Sequence, residues 1–540
     1  MTDLNRRRFL ANAAGGVAAA ILLPNARAEH GIVSHAAAPM DVDGRSAQAY
    51  LLRRQVAKSH QGGCAPAFPT NGDEERFPNR IGSYSKCLPH DDLGLVEPRA
   101  YTAYVQAVSG GQSAAMEAIA LGGRVKLANP MAAHAFELEG GDPQQYEMVA
   151  PPAFASDEIA AEMIELYWQA LTRDVPFVAY GEHPLTVAAA RDLSRCTAFR
   201  GPKARDAVTS GTLFRGSTPG DLTGPYVSQF LWLDVPHGHM RLVQRGRVPV
   251  PGDDYMTTYP EWLSIQRGAQ PPRINVIDPV PRHVRNARDL GEYVHLDWSY
   301  QAYLDACVTL LVMGAPLKAD YPYFRRRSRT QGGFITFGAP HVLDCVARVA
   351  NAALKATWSQ KWLVHRRVRP EEFGGHVHNH LTRAARYPIP ADLLDSPALD
   401  VVDRTTGSFL LPMAYPEGCP THPSYPSGHA AIAGACTTVL KAFFNETWVI
   451  PDPVVVNTDG SGLVPWKGAP LTVGGEVNKL AANISLARNG AGVHWRSDFV
   501  EGLKLGEAVA TDILRDVRRT CPETFNGFAF TRFDGETTRT

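Results

Sequence analysis

Helical periodicity is the feature of this sequence that most restricts its fold. In residues 155–175, apolar side chains recur at 159, 163, 164, 167 and 171 behind an acidic first turn, as in an amphipathic helix. The same spacing recurs in residues 299–314, 339–368, 428–444 and 494–517. The two-residue alternation that half-buried strands show is almost absent. The sequence therefore predicts a mainly α protein.

Long connectors separate the helical segments. Residues 199–226 and 245–288 are rich in glycine and proline, which predicts loops. Loops of this length are usually functional or lie on packed surfaces and interfaces. A boundary near 320–332 divides the chain into an N-terminal helical region, 29–325, and a C-terminal helical-bundle region, 326–540, which carries every chemical motif described below.

The first 28 residues have the pattern of an export signal. Arg6 and Arg7 form a twin-arginine pair ahead of an apolar run that ends at Pro24 and is too short to span a bilayer. An A-x-A cleavage site follows at 26–28. We therefore expect export by the twin-arginine route to the periplasm or the medium. No later stretch has the length and apolarity of a membrane span, so we expect none after the signal is removed.

Charge and cysteine content narrow the possible partners. The chain has 54 basic and 54 acidic residues, and this balance argues against a general nucleic-acid binder, which would carry a surplus of cations. Any anion site must therefore be local. The eight cysteines show no zinc-binding spacing. In an oxidising compartment, Cys64 and Cys87, which flank a Gly/Pro/Asn-rich segment, are the expected disulfide.

The first chemical motif is the basic segment 361–375. Lys361 and Arg369 are eight residues apart, an offset of roughly 80° on a helix, so both side chains can lean to one side. Pro370 disfavours the helical state at Arg369 and predicts a helix end there. A solvated basic face near a helix C-terminus is the alternative interpretation.

The second motif is THPSYPSGHAAIAG, residues 421–434. Ser427 is a candidate N-cap for the helical stretch that follows, and Gly428 permits close approach to the free N–H groups of the first turn. These N–H groups are suited to an anion, and His429 lies beside them. A plain capped helix with an exposed histidine remains the alternative. A serine nucleophile is a further one, although the segment lacks the G-x-S-x-G pattern.

The third motif is residues 483–498. Arg488 ends one helical run, the turn 489–492 follows, and His494 opens the next run, so Arg488 and His494 should face each other. Asp498 lies one turn after His494, where it can orient the imidazole. The alternative is a surface contact worth about 0.3–0.5 kcal/mol. Taken together, the three motifs supply three permanent cations, a helix N-terminus and two histidines, which predicts a pocket for a tetrahedral oxyanion.

These motifs resemble a known family. Lys-x7-Arg-Pro, Pro-Ser-Gly-His and Arg-x5-His-x3-Asp, in this order, are similar to the signature shared by vanadium-dependent haloperoxidases and type-2 phosphatidic acid phosphatases, which have a helical-bundle core. The seven residues between the lysine and the arginine resemble the algal bromoperoxidases and their bacterial relatives, as do residues 71–94, 214–232 and 332–347. Ala487 stands where the phosphatases usually carry serine, which argues against that activity.

The resemblance implies a cofactor and a role for each residue. Vanadate would be held by Lys361, Arg369, Ser427, the Gly428 N–H and Arg488, with His494 Nε2 as the axial ligand to vanadium, Asp498 behind it and His429 as the acid/base. Vanadate would then act as a Lewis acid toward hydrogen peroxide, with Lys361 polarising the peroxide. Halide would leave as hypohalous acid, which halogenates a small organic acceptor.

Two further residues are candidates for a halide pocket. His422 matches a histidine of the algal bromoperoxidases and favours bromide or iodide over chloride, and Trp358 lies three residues before Lys361 on the same helical face. Core packing or a structural hydrogen bond is an equal alternative for both residues.

Two other functions remain compatible with the motifs. One is an exported acid phosphatase, in which His494 would attack phosphorus to form a phospho-histidine and His429 would protonate the leaving group. The other is a non-catalytic oxyanion-binding protein. The long loops, together with the resemblance, imply a homodimer or a larger homo-oligomer.

Overall fold

The computed structural model describes residues 42–61, 67–324 and 328–540. The predicted export signal and Cys64 lie outside these residues, whereas Cys87 is buried. The helices are α1 Val42–Gln61, α2 Asp73–Arg76, α3 Pro98–Gly110, α4 Ser113–Glu117, α5 Asp157–Leu171, α6 Pro184–Arg195, α7 Tyr259–Gln266, α8 Ala287–Tyr293, α9 Gln301–Met313, α10 Ala339–Ser359, α11 Pro370–Leu381, α12 Ala391–Leu394, α13 Pro397–Thr406, α14 Gly428–Phe443, α15 Val473–Gly490 and α16 Arg496–Thr520.

In the described ranges, strands form three small antiparallel pairs. Each pair contains two three-residue strands and is a local hairpin, in keeping with the scarcity of two-residue alternation. The pairs are β1 Val235–His237 with β2 Met240–Leu242, β3 Val454–Val456 with β4 Leu463–Pro465, and β5 Ala529–Thr531 with β6 Thr537–Arg539. The prediction of a mainly α protein is confirmed. None of the described helices is long and apolar enough to cross a bilayer.

Helix α14 lies at the centre of the bundle and packs against α10, α15 and α16. Every residue of α14 is buried except His429 in its first turn. Gly434 lies against the backbone of Leu503, and Gly506 of α16 lies against the backbone of α14, so a Cβ at either position would overlap the opposing main chain. The small residues after His429 therefore permit the two helices to approach closely, and this packing fixes the N-terminus of α14.

The segment that joins α10 to α11 differs from the prediction of one helix over residues 339–368. The α-helix ends at Ser359, and one π-helical turn, Gln360–His365, follows. Arg366 then adopts a left-handed conformation with φ 40°, and Arg369 is extended. The prediction that Lys361 and Arg369 lie on one helix, offset by a helical angle, is therefore wrong. Pro370 does exclude the helical state at Arg369, but that residue precedes the first turn of α11.

Three other segments also differ. The predicted loop 245–288 contains helix α7, and the end of the chain, where no strand was predicted, forms the β5–β6 hairpin. His494 lies two residues before α16 instead of opening it. The largest hydrophobic core contains residues from both sides of position 325, and the division of the chain at that position stays a prediction.

Candidate oxyanion site

The N-terminus of α14 forms one wall of the site. Ser427 caps the helix, because its Oγ accepts a hydrogen bond from the Ala430 N–H at 3.4 Å. Its own N–H donates to the Asp498 carbonyl at 3.0 Å, which ties α14 to α16. The Ser427 hydroxyl hydrogen stays available for a further acceptor. The Gly428 N–H has no acceptor among the residues described, so this helix start presents donors to the space in front of it.

His494 and Asp498 form a buried pair. His494 Nδ1 lies 2.7 Å from Asp498 Oδ2, and both side chains are at most 2% exposed. Because a carboxylate only accepts, Nδ1 carries the proton and Nε2 presents its lone pair. Nε2 accepts a hydrogen bond from Arg369 at 3.1 Å. Burial lowers the pKa of His494 well below its usual range, and the nearby cations Arg369 and Lys361 lower it further, so the imidazole is neutral.

Asp498 has further partners that the sequence analysis did not identify. It accepts a hydrogen bond from Ser424 Oγ at 2.5 Å and one from Arg367 at 2.8 Å. Arg367 is buried and also contacts Glu162 at 2.9 Å. This network fixes the carboxylate that orients His494.

Lys361 and Arg369 reach the same space from the α10–α11 connection. Lys361 Nζ donates to the carbonyls of Pro423 and Ser424, each at 2.7 Å. Arg369 donates to the His422 carbonyl at 2.9 Å and to the Val493 carbonyl. Burial lowers the pKa of Lys361 well below its usual range, and Arg369 adds to this effect. When protonated, Lys361 has three donors, so one remains for a ligand, and an anion bound beside it would favour that protonated state.

Arg488 approaches from the end of α15. It donates to the Val294 carbonyl at 2.7 Å and to the Tyr415 hydroxyl at 3.3 Å. Its buried Nε has no hydrogen-bond partner in the described part of the chain. A buried donor without an acceptor is costly, which points to a ligand that would accept from it.

The buried arginines of the site differ from the other buried arginines in the partners they have. Five of the seven buried arginines in the described ranges have a carboxylate oxygen within 4.0 Å. Arg369 and Arg488 are the other two, and Lys361 likewise has no such partner. Three buried cations therefore converge on one site, and carbonyl oxygens are their main hydrogen-bond partners. The site can hold an anion with several oxygens, which is the fit that an oxyanion such as vanadate requires.

His429 is the site residue with the most access to solvent. Its side chain is 25% exposed, and Nε2 lies 3.1 Å from Asp297 Oδ1. Asp297 belongs to the connection between α8 and α9, 132 residues away along the chain, and no motif marked it. His429 also contributes to the low pKa of His494, which reflects their proximity. A histidine that is neither fully buried nor bonded to a fixed cation is suited to exchange protons with a ligand and with water.

The two candidates for a halide pocket lie side by side. The rings of Trp358 and His422 are 4.8 Å apart. His422 Nδ1 accepts a hydrogen bond from Arg369 at 2.9 Å, and Trp358 Nε1 donates to the Ala128 carbonyl at 3.1 Å. Trp358 also borders Gly428, because a Cβ on that glycine would lie 3.6 Å from the indole. Both side chains thus have structural hydrogen bonds and both adjoin the site.

Comparisons with known proteins extend these observations to the whole chain. Residues 343–522 match a family model described as the second helical-bundle domain of VCPO. The vanadium-dependent bromoperoxidases of Corallina pilulifera and Corallina officinalis are each 35% identical to this chain, over 92% and 87% of its length and 97% and 92% of theirs. A homohexameric structure of the second vanadate-dependent bromoperoxidase from Ascophyllum nodosum is 28% identical and gives a TM-score of 0.88, covering 96% of this chain and 94% of that one.

Proposed function

This chain belongs to the vanadium-dependent haloperoxidase family, and from that premise we propose that it binds vanadate and oxidises bromide or iodide with hydrogen peroxide to hypohalous acid. The observation that carries the proposal is the absence, within the described residues, of a carboxylate partner for Arg369 and Arg488, two buried arginines that converge with Lys361 on one space. Unneutralised buried cations attract an oxyanion strongly, because little water screens them.

The donors that would hold vanadate are partly unused, as Arg488 Nε is, and partly bound to carbonyl and imidazole atoms, as those of Arg369 are. They are the third N–H of Lys361, the guanidinium groups of Arg369 and Arg488, the hydroxyl hydrogen of Ser427 and the N–H of Gly428. His494 Nε2, which accepts a hydrogen bond from Arg369 in this structure, would be the ligand to vanadium, and a neutral imidazole would supply the lone pair. Asp498 holds the proton on Nδ1 and thereby fixes the tautomer.

Bound vanadate would supply a Lewis-acid centre that activates hydrogen peroxide toward attack by halide. Around it, Lys361 directs one N–H to the reacting oxygens. His429 accepts the proton that peroxide gives up and later returns it, with Asp297 orienting the ring. Asp498 and Arg367 stay buried and hold the geometry.

Bromide or iodide is proposed over chloride because of the pair His422 and Trp358. Their rings lie together and His422 bonds to Arg369, so a halide beside them would meet apolar ring surface close to a cation. A large, polarisable anion loses less on leaving water than chloride does, so it enters such surroundings more readily.

Reconstitution with vanadate tests this function. Protein dialysed free of oxyanions should gain peroxide-dependent halogenation of a phenol indicator when vanadate is added, faster with bromide and iodide than with chloride, and phosphate should compete. Lys361→Met should abolish the gain. No vanadate-dependent activity with any of the three halides, together with rapid phosphomonoester hydrolysis, would contradict the proposal and favour the phosphatase.

Two features outside the site complete the proposal. The protein is exported through the twin-arginine pair Arg6–Arg7 and acts outside the cytoplasm, a route that suits a protein folded before transport. It assembles as a homo-oligomer, as the homohexameric Ascophyllum nodosum relative does. Fractionation of cells that express Arg6→Lys/Arg7→Lys tests export, and sedimentation of the purified protein tests assembly.

A further inference from the structure

A cleft of about 270 Å³ opens beside the candidate site. One wall consists of Leu231 and residues 243–248, and the other runs from Arg282 through α8 to Gln301. Asp297 is part of the second wall, and its Oδ1 is 3.1 Å from His429 Nε2. A molecule in this cleft would therefore lie next to the residue assigned to proton exchange. None of the roles assigned so far uses this cleft.

The cleft is small, and part of its lining is apolar. Leu231 and Val248, which are buried, line it together with Tyr293. At the rim, Leu296 is 72% exposed, which is unusual for a leucine that borders a cavity. A cavity of roughly 150 Å³ holds a benzene molecule. A volume of 270 Å³ is thus matched to one substituted aromatic ring.

The charges of the cleft leave a positive rim. Arg245 and Arg247 line the cleft, are exposed, and have no carboxylate oxygen within 4.0 Å among the described residues. Of the cleft's carboxylates, Asp289 pairs with Arg285, Glu292 lies against His295, whose pKa is raised to about 9, and Asp297 lies against His429, which compensates it only when protonated. Arg282 is paired with Asp278, but its buried Nε has no partner in the described chain. Two unpaired arginines thus stand against one aspartate, so the excess charge at the rim is cationic.

We propose that this cleft binds the organic acceptor, and that the acceptor is an electron-rich aromatic ring that carries a carboxylate. The ring packs between Val248, Tyr293 and Leu296, and the carboxylate meets Arg245 and Arg247. The opposite edge of the ring then faces Asp297 and His429. This inference rests on the proposed function, because it names the acceptor class of the same reaction.

The reaction at the bound ring balances without another reagent. A ring carbon attacks the halogen of hypohalous acid, so a carbon–halogen bond forms while the oxygen–halogen bond breaks. The hydroxide that leaves takes the proton lost from the same ring carbon and becomes water. Holding the ring beside the place where hypohalous acid forms raises the local concentration of the acceptor.

Binding measured without peroxide, halide or vanadate separates this inference from the proposed function. The probe is 4-hydroxybenzoate, and its neutral methyl ester is the matched ligand. We expect saturable binding of the acid by titration calorimetry, with the ester at least threefold weaker. Arg245→Gln/Arg247→Gln should weaken the acid three- to tenfold and leave the ester unchanged, because exposed cations contribute modestly.

Arg241→Gln is the control variant. Arg241 is 72% exposed on strand β2, which precedes Arg245 in the chain; it pairs with Asp234 and does not line the cleft, so its loss should leave both dissociation constants unchanged. Equal binding of acid and ester, no saturable binding, or an equal effect of both variants would overturn the inference. So would a change in sedimentation of the double variant without a change in ligand binding, because the rim would then be an interface between copies of this chain.

Discussion

Replacing Arg367 by methionine tests whether a buried cation holds the acidic side of the site. Arg367 is 1% exposed and contacts Asp498 at 2.8 Å and Glu162 at 2.9 Å, whose side chains are 0% and 7% exposed. Methionine fills much of the same volume but leaves two buried carboxylates without their cation. Removing one partner of a buried ion pair costs about 3–5 kcal/mol. The two contacts belong to one network, so their costs do not add. We expect Arg367→Met to lower the free energy of unfolding by an amount within that range, not by twice as much.

The neighbouring Arg366 provides the matched control. It pairs with Glu74 at 2.8 Å, and Glu74 is 20% exposed, so water can reach this pair. We expect Arg366→Met to lower the free energy of unfolding by about 1 kcal/mol. Urea unfolding at pH 7, followed by tryptophan fluorescence, measures both variants. If Arg367→Met fails to accumulate, Arg367→Lys keeps the charge and should lose less than the methionine variant would.

Binding gives a second measurement on the same variant. Asp498 orients His494 only while its own position is fixed, so Arg367→Met should weaken phosphate or vanadate binding by about 10–100-fold, although Arg367 is not assigned to the anion. Arg366→Met should leave that affinity within twofold. A loss of stability equal to that of Arg366→Met, or an unchanged anion affinity, would refute the reasoning that the buried network positions the imidazole.

Three further predictions concern packing, pH and proton exchange. Gly506→Ala should cost at least about 1–3 kcal/mol in unfolding free energy because its Cβ would overlap the backbone of α14, whereas Gly490→Ala, whose Cβ would lie 3.7 Å from its nearest neighbour, should cost less than 1 kcal/mol. Burial lowers the pKa of His295, but hydrogen bonds to two carboxylates outweigh it and raise that pKa to about 9. The protonated His295 therefore stabilises the fold fully below pH 6.5, and this stabilisation is lost as pH rises through 9. Urea titrations should find His295→Gln less stable than the parent by about 2 kcal/mol at pH 6 and equal to it at pH 10. Asp297→Asn should lower the turnover of the vanadate-loaded protein 10–100-fold, because His429 loses its orienting partner, while vanadate affinity stays within threefold; unchanged turnover would contradict this role.

The bundle and its central helix could be predicted from the sequence because both depend on local patterns. The small residues after His429 predict close helix packing, and Gly434 against Leu503 confirms it. The path from Lys361 to Arg369 could not be predicted. A single π-helical turn and a left-handed Arg366 interrupt a helical pattern that itself continues, and no periodicity reveals such an interruption.

The partners of the site residues were also beyond the sequence. Asp297 reaches His429 from a connection 132 residues away, and its neighbours form no motif. Among Arg366, Arg367 and Arg369, the letters alone do not tell which side chain faces inward. The extended backbone after Arg366 directs Arg367 toward Asp498 and Arg369 toward His494. Only the tertiary structure determines which arginine reaches which partner.

The balance of 54 basic and 54 acidic residues is compatible with a strongly cationic site because the fold distributes carboxylates unevenly. Lys361 donates to the Pro423 carbonyl, Arg369 to the His422 carbonyl and Arg488 to the Val294 carbonyl. Carbonyl oxygens satisfy the donors of a buried cation, but they carry only partial negative charge and do not neutralise it. Each cation therefore keeps most of its attraction for an anion while it is buried without one. Carboxylate partners, as at the other five buried arginines, would have stabilised the same side chains and removed that attraction.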